Sequence, residues 1–187
     1  MGQFDRENDF LLSVARGTLS EVERKKFEEL LSDGLEWNYV LTQLKRHKLL
    51  PLFANHCKSC KITKNSGEIS AYLKTISIHS KRLEIELCSI ASDLVERGIA
   101  YAVLKGPILA HAIYDIPVKR TYGDLDILVK KSDAYAVSNI LKEKGYIQGD
   151  FDKEKEEIVP VTRKVVVGYS MYTHQLYPFK KLFDQSF

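Results

Sequence analysis

The sequence predicts an α+β fold, in which an N-terminal helical region and a long spine helix precede a small mixed β-sheet with flanking helices. Apolar residues recur every three or four positions through the first 97 residues, which is the spacing of amphipathic helices. After Gly98 the pattern changes to short apolar runs separated by glycine and proline, as in strands alternating with short helices. We therefore expect a helical region over residues 1–97 and an α/β core over residues 98–187.

The N-terminal region divides into short helices. A first apolar cluster at residues 10–15 predicts a short helix. Ser20 and Glu23 have the spacing of a capping box, in which each side chain bonds the other's backbone N–H, and they predict the start of a second helix that Gly34 ends. A third apolar stripe runs from Trp37 to Leu44.

A longer helical pattern follows these short helices. Its apolar stripe comprises Ile69, Tyr72, Leu73, Ile76, Leu83, Leu87, Ile90 and Leu94. The pattern ends at Arg97 and Gly98, a basic last turn followed by a glycine that can cap the helix. The heptads are too few and too irregular for a coiled coil, so we expect a spine helix that joins two lobes.

The C-terminal half alternates between strand and helix patterns. Residues 99–104 predict a strand, Lys105-Gly106-Pro107 a turn, and residues 108–114 a helix, because proline suits the first helical position. The alternation over residues 121–129 predicts a strand. Further elements are expected as a helix from Ser132 or Asp133 to Gly145, a strand at 146–148, a charge-rich loop at 150–157 and a strand within 161–169.

Composition excludes several classes of function. Lys and Arg total 28 against 25 Asp and Glu, and this net charge of +3 is too small and too scattered to indicate a nucleic-acid-binding surface. No segment is long and apolar enough to cross a membrane, and the first residues lack the apolar core of a secretory signal. We expect no membrane partner and a cytoplasmic location.

The cysteines agree with that location. Cys57, Cys60 and Cys88 do not form a disulfide framework, which favours a reducing compartment. His56, Cys57 and Cys60 could be half of a zinc site or a redox pair. A structural zinc normally needs four ligands, and no second pair is visible, so partly buried thiols near a helix end are favoured.

Asp124 and Asp126 are the most informative residues of the chain. On a strand, residues two apart point to the same face, so their carboxylates would stand side by side. Such a pair repels unless a cation lies between the two groups, and Mg2+ is commonly bound by one or two carboxylates with waters and phosphate oxygens. The alternative is a surface strand with one wet face.

The Lys105-Gly106 turn adds a predicted phosphate site. Backbone N–H groups at the start of the following helix are free donors, and the helix dipole favours an anion there. Gly106 would let a phosphate approach the backbone, and Lys105 would add a positive charge. The alternative for Lys105 is an ordinary lysine at a strand end.

Taken together, these motifs resemble the uncharacterised nucleotidyltransferase family of the DNA polymerase beta-like superfamily. The resemblance rests on the run from Gly98 to Gly106, on Arg120, on the run from Gly123 to Val129 and on Gly145-Tyr146. The helical lead-in also fits, with Trp37, His47 and Leu50-Pro51-Leu52. The similarity covers about Trp37 to Gly145.

The resemblance implies a nucleotidyltransferase-like core and transfer of a nucleoside monophosphate from an NTP, with Mg2+ or Mn2+ as cofactor. Asp124 and Asp126 match the metal-binding, catalytic carboxylates. Lys105, Gly106, Arg120 and Gly123 match nucleotide-binding positions. Arg120 could pair with the triphosphate or form a salt bridge to one of the aspartates. The acceptor is open, and small molecule, peptide, protein and RNA end all remain.

Three departures from the wider superfamily stand out, one of which is a longer gap between the Lys105-Gly106 turn and Asp124 than in the compact members. Its better-known members have Gly-Ser where this chain has Gly106-Pro107, and they use a third carboxylate on a later strand. His174 could mark that strand, but no acid accompanies it. We prefer the interpretation in which residues 173–178 match a His-Leu-Pro element that precedes the acidic strand in the family. On that interpretation the third acid would follow Phe187. The alternative function is a catalytically incomplete nucleotide- or partner-binding module.

Overall fold

The computed structural model describes residues 4–32, 34–60, 66–113 and 121–183, with the side chains of residues 66, 68 and 113 left aside. The chain is an α+β protein, as predicted. Its helices are α1 (Asp5–Val14), α2 (Glu21–Ser32), α3 (Trp37–Arg46), α4 (Leu50–Ser59), α5 (Ser66–Glu96), α6 (Gly106–Ile113), α7 (Ala134–Glu143) and α8 (Arg163–Thr173). Its strands are β1 (Tyr101–Leu104), β2 (Asp126–Val129), β3 (Ile147–Asp152), β4 (Glu157–Pro160) and β5 (Phe179–Lys180).

The chain forms two compact units. The first comprises Met1–Ile85 and Val103–Asp126, and the second comprises Glu86–Ala102 and Ile127–Phe187. Helix α5 confirms the long helix and contributes residues to both units. The division at residue 97 into a helical region and an α/β core stays a prediction.

Helices α1 to α4 surround the main apolar core of the first unit. Its fully enclosed side chains include Phe10, Val14, Phe27, Val40, Leu44 and Phe53. The rings of Phe10 and Phe27 stack with centroids 5.2 Å apart, and Phe53 meets Phe10 edge-on at 5.8 Å. Aromatic pairs in such arrangements add to the stabilisation that burial alone provides. The short N-terminal helices thus make a core before any strand is reached.

The capping box at the start of α2 is confirmed. The Ser20 backbone N–H donates to Glu23 Oε2 at 2.8 Å, and the Glu23 N–H donates to Ser20 Oγ at 3.4 Å. Both bonds satisfy N–H groups that have no partner within the helix.

The second unit combines a small apolar cluster with a three-stranded sheet. Ile90, Leu94, Val137 and Ile140 form the buried cluster. The sheet has the order β4-β3-β5, and both pairings are antiparallel. Strands β1 and β2 form a separate two-stranded sheet, so the strands are divided between two small sheets rather than joined in one mixed sheet.

The prediction of a strand within residues 161–169 is wrong, because this segment begins helix α8. Thr162 has extended backbone angles, and its carbonyl accepts from the N–H groups of Val165 and Val166 at 3.0 and 3.2 Å. The β-branched residues therefore follow a helix start, and their helix propensity is only about 0.5 kcal/mol per residue below that of alanine.

The charge-rich loop over residues 150–157 is shorter than predicted. Strand β3 continues to Asp152 and β4 begins at Glu157, so only the four residues between them form the turn. Asp152 accepts from the N–H groups of Glu154 and Lys155, which stabilises that turn. None of the helices within the described residues combines the length and the apolar character needed to cross a membrane.

Candidate functional site

The Lys105-Gly106 turn joins the end of β1 to the start of α6. Lys105 has a left-handed backbone with φ of 48°. Its carbonyl accepts from the Leu109 N–H at 2.9 Å, so Lys105 is the residue that opens the helix. Only Lys105 lies between β1 and α6, so the predicted three-residue turn is shorter than expected, and Gly106 and Pro107 already belong to the helix. Pro107 has no N–H, so the N–H groups of the first turn of α6 that lack an acceptor within the helix are those of Gly106 and Ile108, and a helix start of this kind favours an anion.

Lys105 and Asp126 form an ion pair. Lys105 Nζ lies 3.2 Å from Asp126 Oδ2, and the side chains are 72% and 42% exposed. Ion pairs with this exposure are worth at most about 1 kcal/mol, because water screens both charges. The structure therefore brings two of the predicted site residues into contact, through a bond that a divalent ion or a phosphate could replace at small cost.

Asp124 and Gly123 precede the strand on which the sequence places them. Strand β2 begins at Asp126, so residues 121–125 carry no regular structure and the predicted strand is too long. Both residues are exposed, and no described residue forms an ion pair with Asp124. Strand alternation therefore does not place the two carboxylates on one face.

The backbone of Asp124 nevertheless lies beside the turn. A Cβ atom added to Gly106 would lie 3.4 Å from the Asp124 carbonyl oxygen and 3.5 Å from the ring of Tyr122. Gly106 is buried, so its missing side chain leaves room for the segment that carries the aspartates. This close approach joins the start of α6 to the acidic segment. Arg120 lies outside the described residues.

Tyr122 is a site residue that the sequence did not single out. Its ring is 6% exposed and packs with Leu83, Ala110 and Leu125. Its hydroxyl donates to Glu84 Oε1 at 3.3 Å. Burial, together with the Glu84 carboxylate, raises the pKa of Tyr122 to about 12, so the hydroxyl keeps its proton at neutral pH.

The donor chemistry of the site fits a magnesium or manganese ion only in part. Asp124 and Asp126 supply two carboxylates, which is the number that Mg2+ commonly takes from protein when phosphate oxygens complete its shell. Across the part of the chain that the structure describes, no group of three or more His, Cys, Asp or Glu is arranged to hold a metal ion. A third acid therefore does not join the pair among those residues.

Residues 172–174 do not form the strand of the first alternative. Tyr172 and Thr173 end helix α8, and His174 follows it with a left-handed φ of 56°. His174 is exposed at this helix end. The alternative in which the third acid follows Phe187 stays a prediction.

The histidine–cysteine segment supports the structural interpretation rather than the zinc or redox one. His56 is buried, and its Nε2 lies 2.9 Å from the Arg16 carbonyl oxygen. Because that oxygen can only accept, His56 carries its proton on Nε2. Burial raises the pKa of the Cys57 thiol to about 12, which opposes the thiolate that metal binding or redox exchange needs.

Comparison with known proteins gives a match to a protein family. A family model described as "Uncharacterised nucleotidyltransferase" matches residues 33–184, which is most of the chain. No curated protein and no solved structure matches it. The matched range includes the Lys105-Gly106 turn and both aspartates, and it supports a general role in nucleotidyl transfer. The chain therefore belongs to the family of uncharacterised nucleotidyltransferases.

Proposed function

We propose that this protein is a metal-dependent nucleotidyltransferase that transfers a nucleoside monophosphate from an NTP to an acceptor. The observation that carries the proposal is the 3.2 Å contact between Lys105 Nζ and Asp126 Oδ2 at the start of α6. A cationic group and a carboxylate thereby lie next to a helix start, which favours an anion. That combination suits a triphosphate with its divalent counterion.

The proposed roles follow from the chemistry of each group. Lys105 and the N–H groups of Gly106 and Ile108 bind the triphosphate, and Gly123 gives the acidic segment a backbone without a side chain. Arg120 is proposed as a further triphosphate contact from its place in the motif. Asp124 and Asp126 hold Mg2+ or Mn2+. The ion, when bound, neutralises the charge that develops on the phosphate oxygens.

The acceptor is a hydroxyl or phosphate group of a small molecule, a peptide or a protein. The three cysteines are free thiols, which agrees with action in a reducing cytoplasm.

The direct test is isothermal titration of ATP, GTP, CTP and UTP in the presence of Mg2+ or Mn2+, combined with pyrophosphate release. We expect binding of at least one NTP, and loss of release by at least about 100-fold in Asp124→Asn and Asp126→Asn, since each removes one charged group from the site. Both substitutions should leave stability within about 1 kcal/mol, because the side chains are exposed or half exposed.

Asp9→Asn is the matched control for these variants. Asp9 is an exposed carboxylate on α1, and its substitution changes the net charge by the same amount. This variant should bind and turn over NTP as the unaltered protein does. Absence of NTP binding in the unaltered protein, or binding and release that survive the double aspartate substitution, would contradict the proposal.

One observation favours a second function, a nucleotide- or partner-binding module without turnover. Asp126 pairs with Lys105 and the backbone of Asp124 lies beside Gly106, but no group of three or more His, Cys, Asp or Glu among the described residues is arranged to hold a metal ion. Such a module would bind NTP without pyrophosphate release. Release that depends on Asp126 would exclude it.

A further inference from the structure

The two segments that carry the candidate site are held by one oxygen atom of the long helix. Glu84, on α5, accepts from the Tyr122 hydroxyl at 3.3 Å and lies 3.0 Å from His111 Nε2, and both contacts use its Oε1. A carboxylate oxygen only accepts, so His111 donates through Nε2–H. We call this set of three residues the Glu84 bridge.

Each donor of the Glu84 bridge belongs to a different part of the site. His111 lies on α6, whose first residue is Gly106, and Tyr122 lies two residues before Asp124. The Tyr122 hydroxyl also approaches the Ser80 carbonyl of α5 at 3.5 Å. One side chain of α5 therefore contacts both the helix that begins at the Lys105-Gly106 turn and the segment that carries the aspartates.

The Tyr122 ring transmits this placement to the turn. It lies 3.5 Å from the position that a Cβ of Gly106 would occupy, and it packs on Ala110 of the same helix. Tyr122 and Ala110 both belong to the buried cluster, where packing leaves little freedom for displacement. Movement of the ring would thus shift the start of α6 relative to Asp124.

We propose that Glu84 is a positioning residue, which sets the spacing between the Lys105-Gly106 turn and the aspartate segment through Tyr122 and His111. The expected effect of this positioning on nucleotide binding rests on the proposed function. Groups that must act together on one substrate lose about 100-fold when they are displaced by about 1 Å, so the positioning has a measurable effect.

The test compares Glu84→Ala, Glu84→Gln and Tyr122→Phe with the unaltered protein. Hydrogen exchange is followed over residues 106–112 and 121–126, with α3 as the internal reference, and binding of Mn2+·ATP is measured by titration. We expect exchange in the two site segments of Glu84→Ala to rise about fivefold while α3 keeps its rate, and the dissociation constant for Mn2+·ATP to rise about tenfold.

The other variants separate positioning from simple destabilisation. Glu84→Gln keeps an acceptor oxygen, so its exchange rates and its dissociation constant for Mn2+·ATP should stay close to those of the unaltered protein. Tyr122→Phe keeps the ring contacts but removes the hydroxyl, so it should raise exchange over residues 121–126 more than over residues 106–112. Glu96→Gln is the matched control, because Glu96 is exposed on the same helix and no described residue forms an ion pair with it.

The two proposals fail in different ways. Exchange in Glu84→Ala that matches the unaltered protein, or that rises equally in α3, overturns the positioning role. If the unaltered protein binds none of the four nucleoside triphosphates with Mn2+, the proposed function falls, and the exchange measurement still decides whether Glu84 holds the two segments together. Should Glu84→Ala fail to fold, the segment-specific exchange of Tyr122→Phe gives the decision.

Discussion

At the scale of single residues, Lys105 combines an unfavourable backbone conformation with an exposed charged side chain. A residue with a Cβ in the left-handed region loses about 1 kcal/mol relative to glycine, and φ of Lys105 is 48°. Its ion pair with Asp126 offsets at most a similar amount. The side chain at this position is thus not required for folding, which fits a role in binding the triphosphate.

Replacement of Lys105 by glycine should separate these two contributions. Lys105→Gly relieves the left-handed backbone, loses the weak ion pair and adds freedom to the unfolded chain, so the free energy of unfolding should change by less than about 1 kcal/mol. NTP binding should weaken at least about tenfold, since one ammonium group in contact with phosphate is lost. Urea unfolding and isothermal titration measure the two quantities.

Lys48→Gly is the matched control for that substitution. Lys48 is also exposed and left-handed, with φ of 58°, but it lies in the connection between α3 and α4. It should show the same change in stability and unaltered NTP binding. Equal NTP binding in Lys105→Gly and Lys48→Gly would contradict a role for the Lys105 ammonium.

The predictable and unpredictable parts of the site differ in sequence distance. Short motifs predicted the Lys105-Gly106 turn and its closeness to Asp126, because the signals for strands, turns and helix starts are local. Glu84 lies 38 residues from Tyr122, and their contact depends on how α5 packs. No local pattern in the sequence contains that information.

At the scale of elements, the helix α8 shows where propensity fails as a guide. Three consecutive valines favour a strand, yet the segment takes the helical hydrogen bonds that follow Thr162. The hydroxyls of Ser170 and Thr173 also donate hydrogen bonds to the carbonyls four residues earlier, at 3.1 and 2.7 Å. No residue of α8 is buried. The helix therefore lacks the buried face that marks an amphipathic helix.

Two glycines in neighbouring elements should respond oppositely to alanine. Gly168 lies within α8, and a Cβ there would meet nothing within 4 Å. Gly168→Ala should therefore stabilise the protein by about 0.5–1 kcal/mol, which is the helix-propensity difference. In β3, a Cβ on Gly149 would overlap the Val159 carbonyl oxygen and lie 2.9 Å from its carbon. Gly149→Ala should destabilise by about 1–3 kcal/mol.

Thermal and urea unfolding of both variants tests the two element assignments together. A stabilised Gly168→Ala agrees with a helix over Arg163–Thr173. A loss of stability would instead favour the strand that the valines of this segment suggest. A neutral Gly149→Ala would contradict the close β3–β4 pairing in which Gly149 faces Pro160.

At the scale of the whole molecule, periodicity was sufficient for the fold class. The three- and four-residue spacing of apolar side chains predicted the long helix α5, and the glycines after it predicted the change to strands. The pairing of the strands was not predictable, because β3 finds its second partner in β5, about 30 residues further along the chain. Strand partners are chosen by tertiary contacts that have no signature within either strand.

One buried and one half-buried tyrosine, Tyr122 and Tyr146, give the molecule a definite response to alkaline pH. Burial, with hydrogen bonds to Glu84 and Glu86 respectively, raises the pKa of Tyr122 from 10.0 to about 12 and also raises the pKa of Tyr146. The folded protein therefore holds these protons at a pH where the unfolded chain releases them. Stability from both groups is complete below about pH 10 and falls as pH rises through the folded pKa.

The rise of the Tyr122 pKa from 10.0 to about 12 corresponds to about 3 kcal/mol, at about 1.4 kcal/mol for each unit of pKa, and most of this stability should be lost between pH 10 and pH 12. Urea unfolding at pH 9, 10 and 11 should show a steeper decline for the unaltered protein than for Tyr122→Phe or Tyr146→Phe. Tyr172→Phe is the control, because Tyr172 is 90% exposed and should leave the slope unchanged. Parallel slopes in all four proteins would show that the two hydroxyl protons do not contribute to folding. They would also contradict the hydrogen bond from the Tyr122 hydroxyl to Glu84.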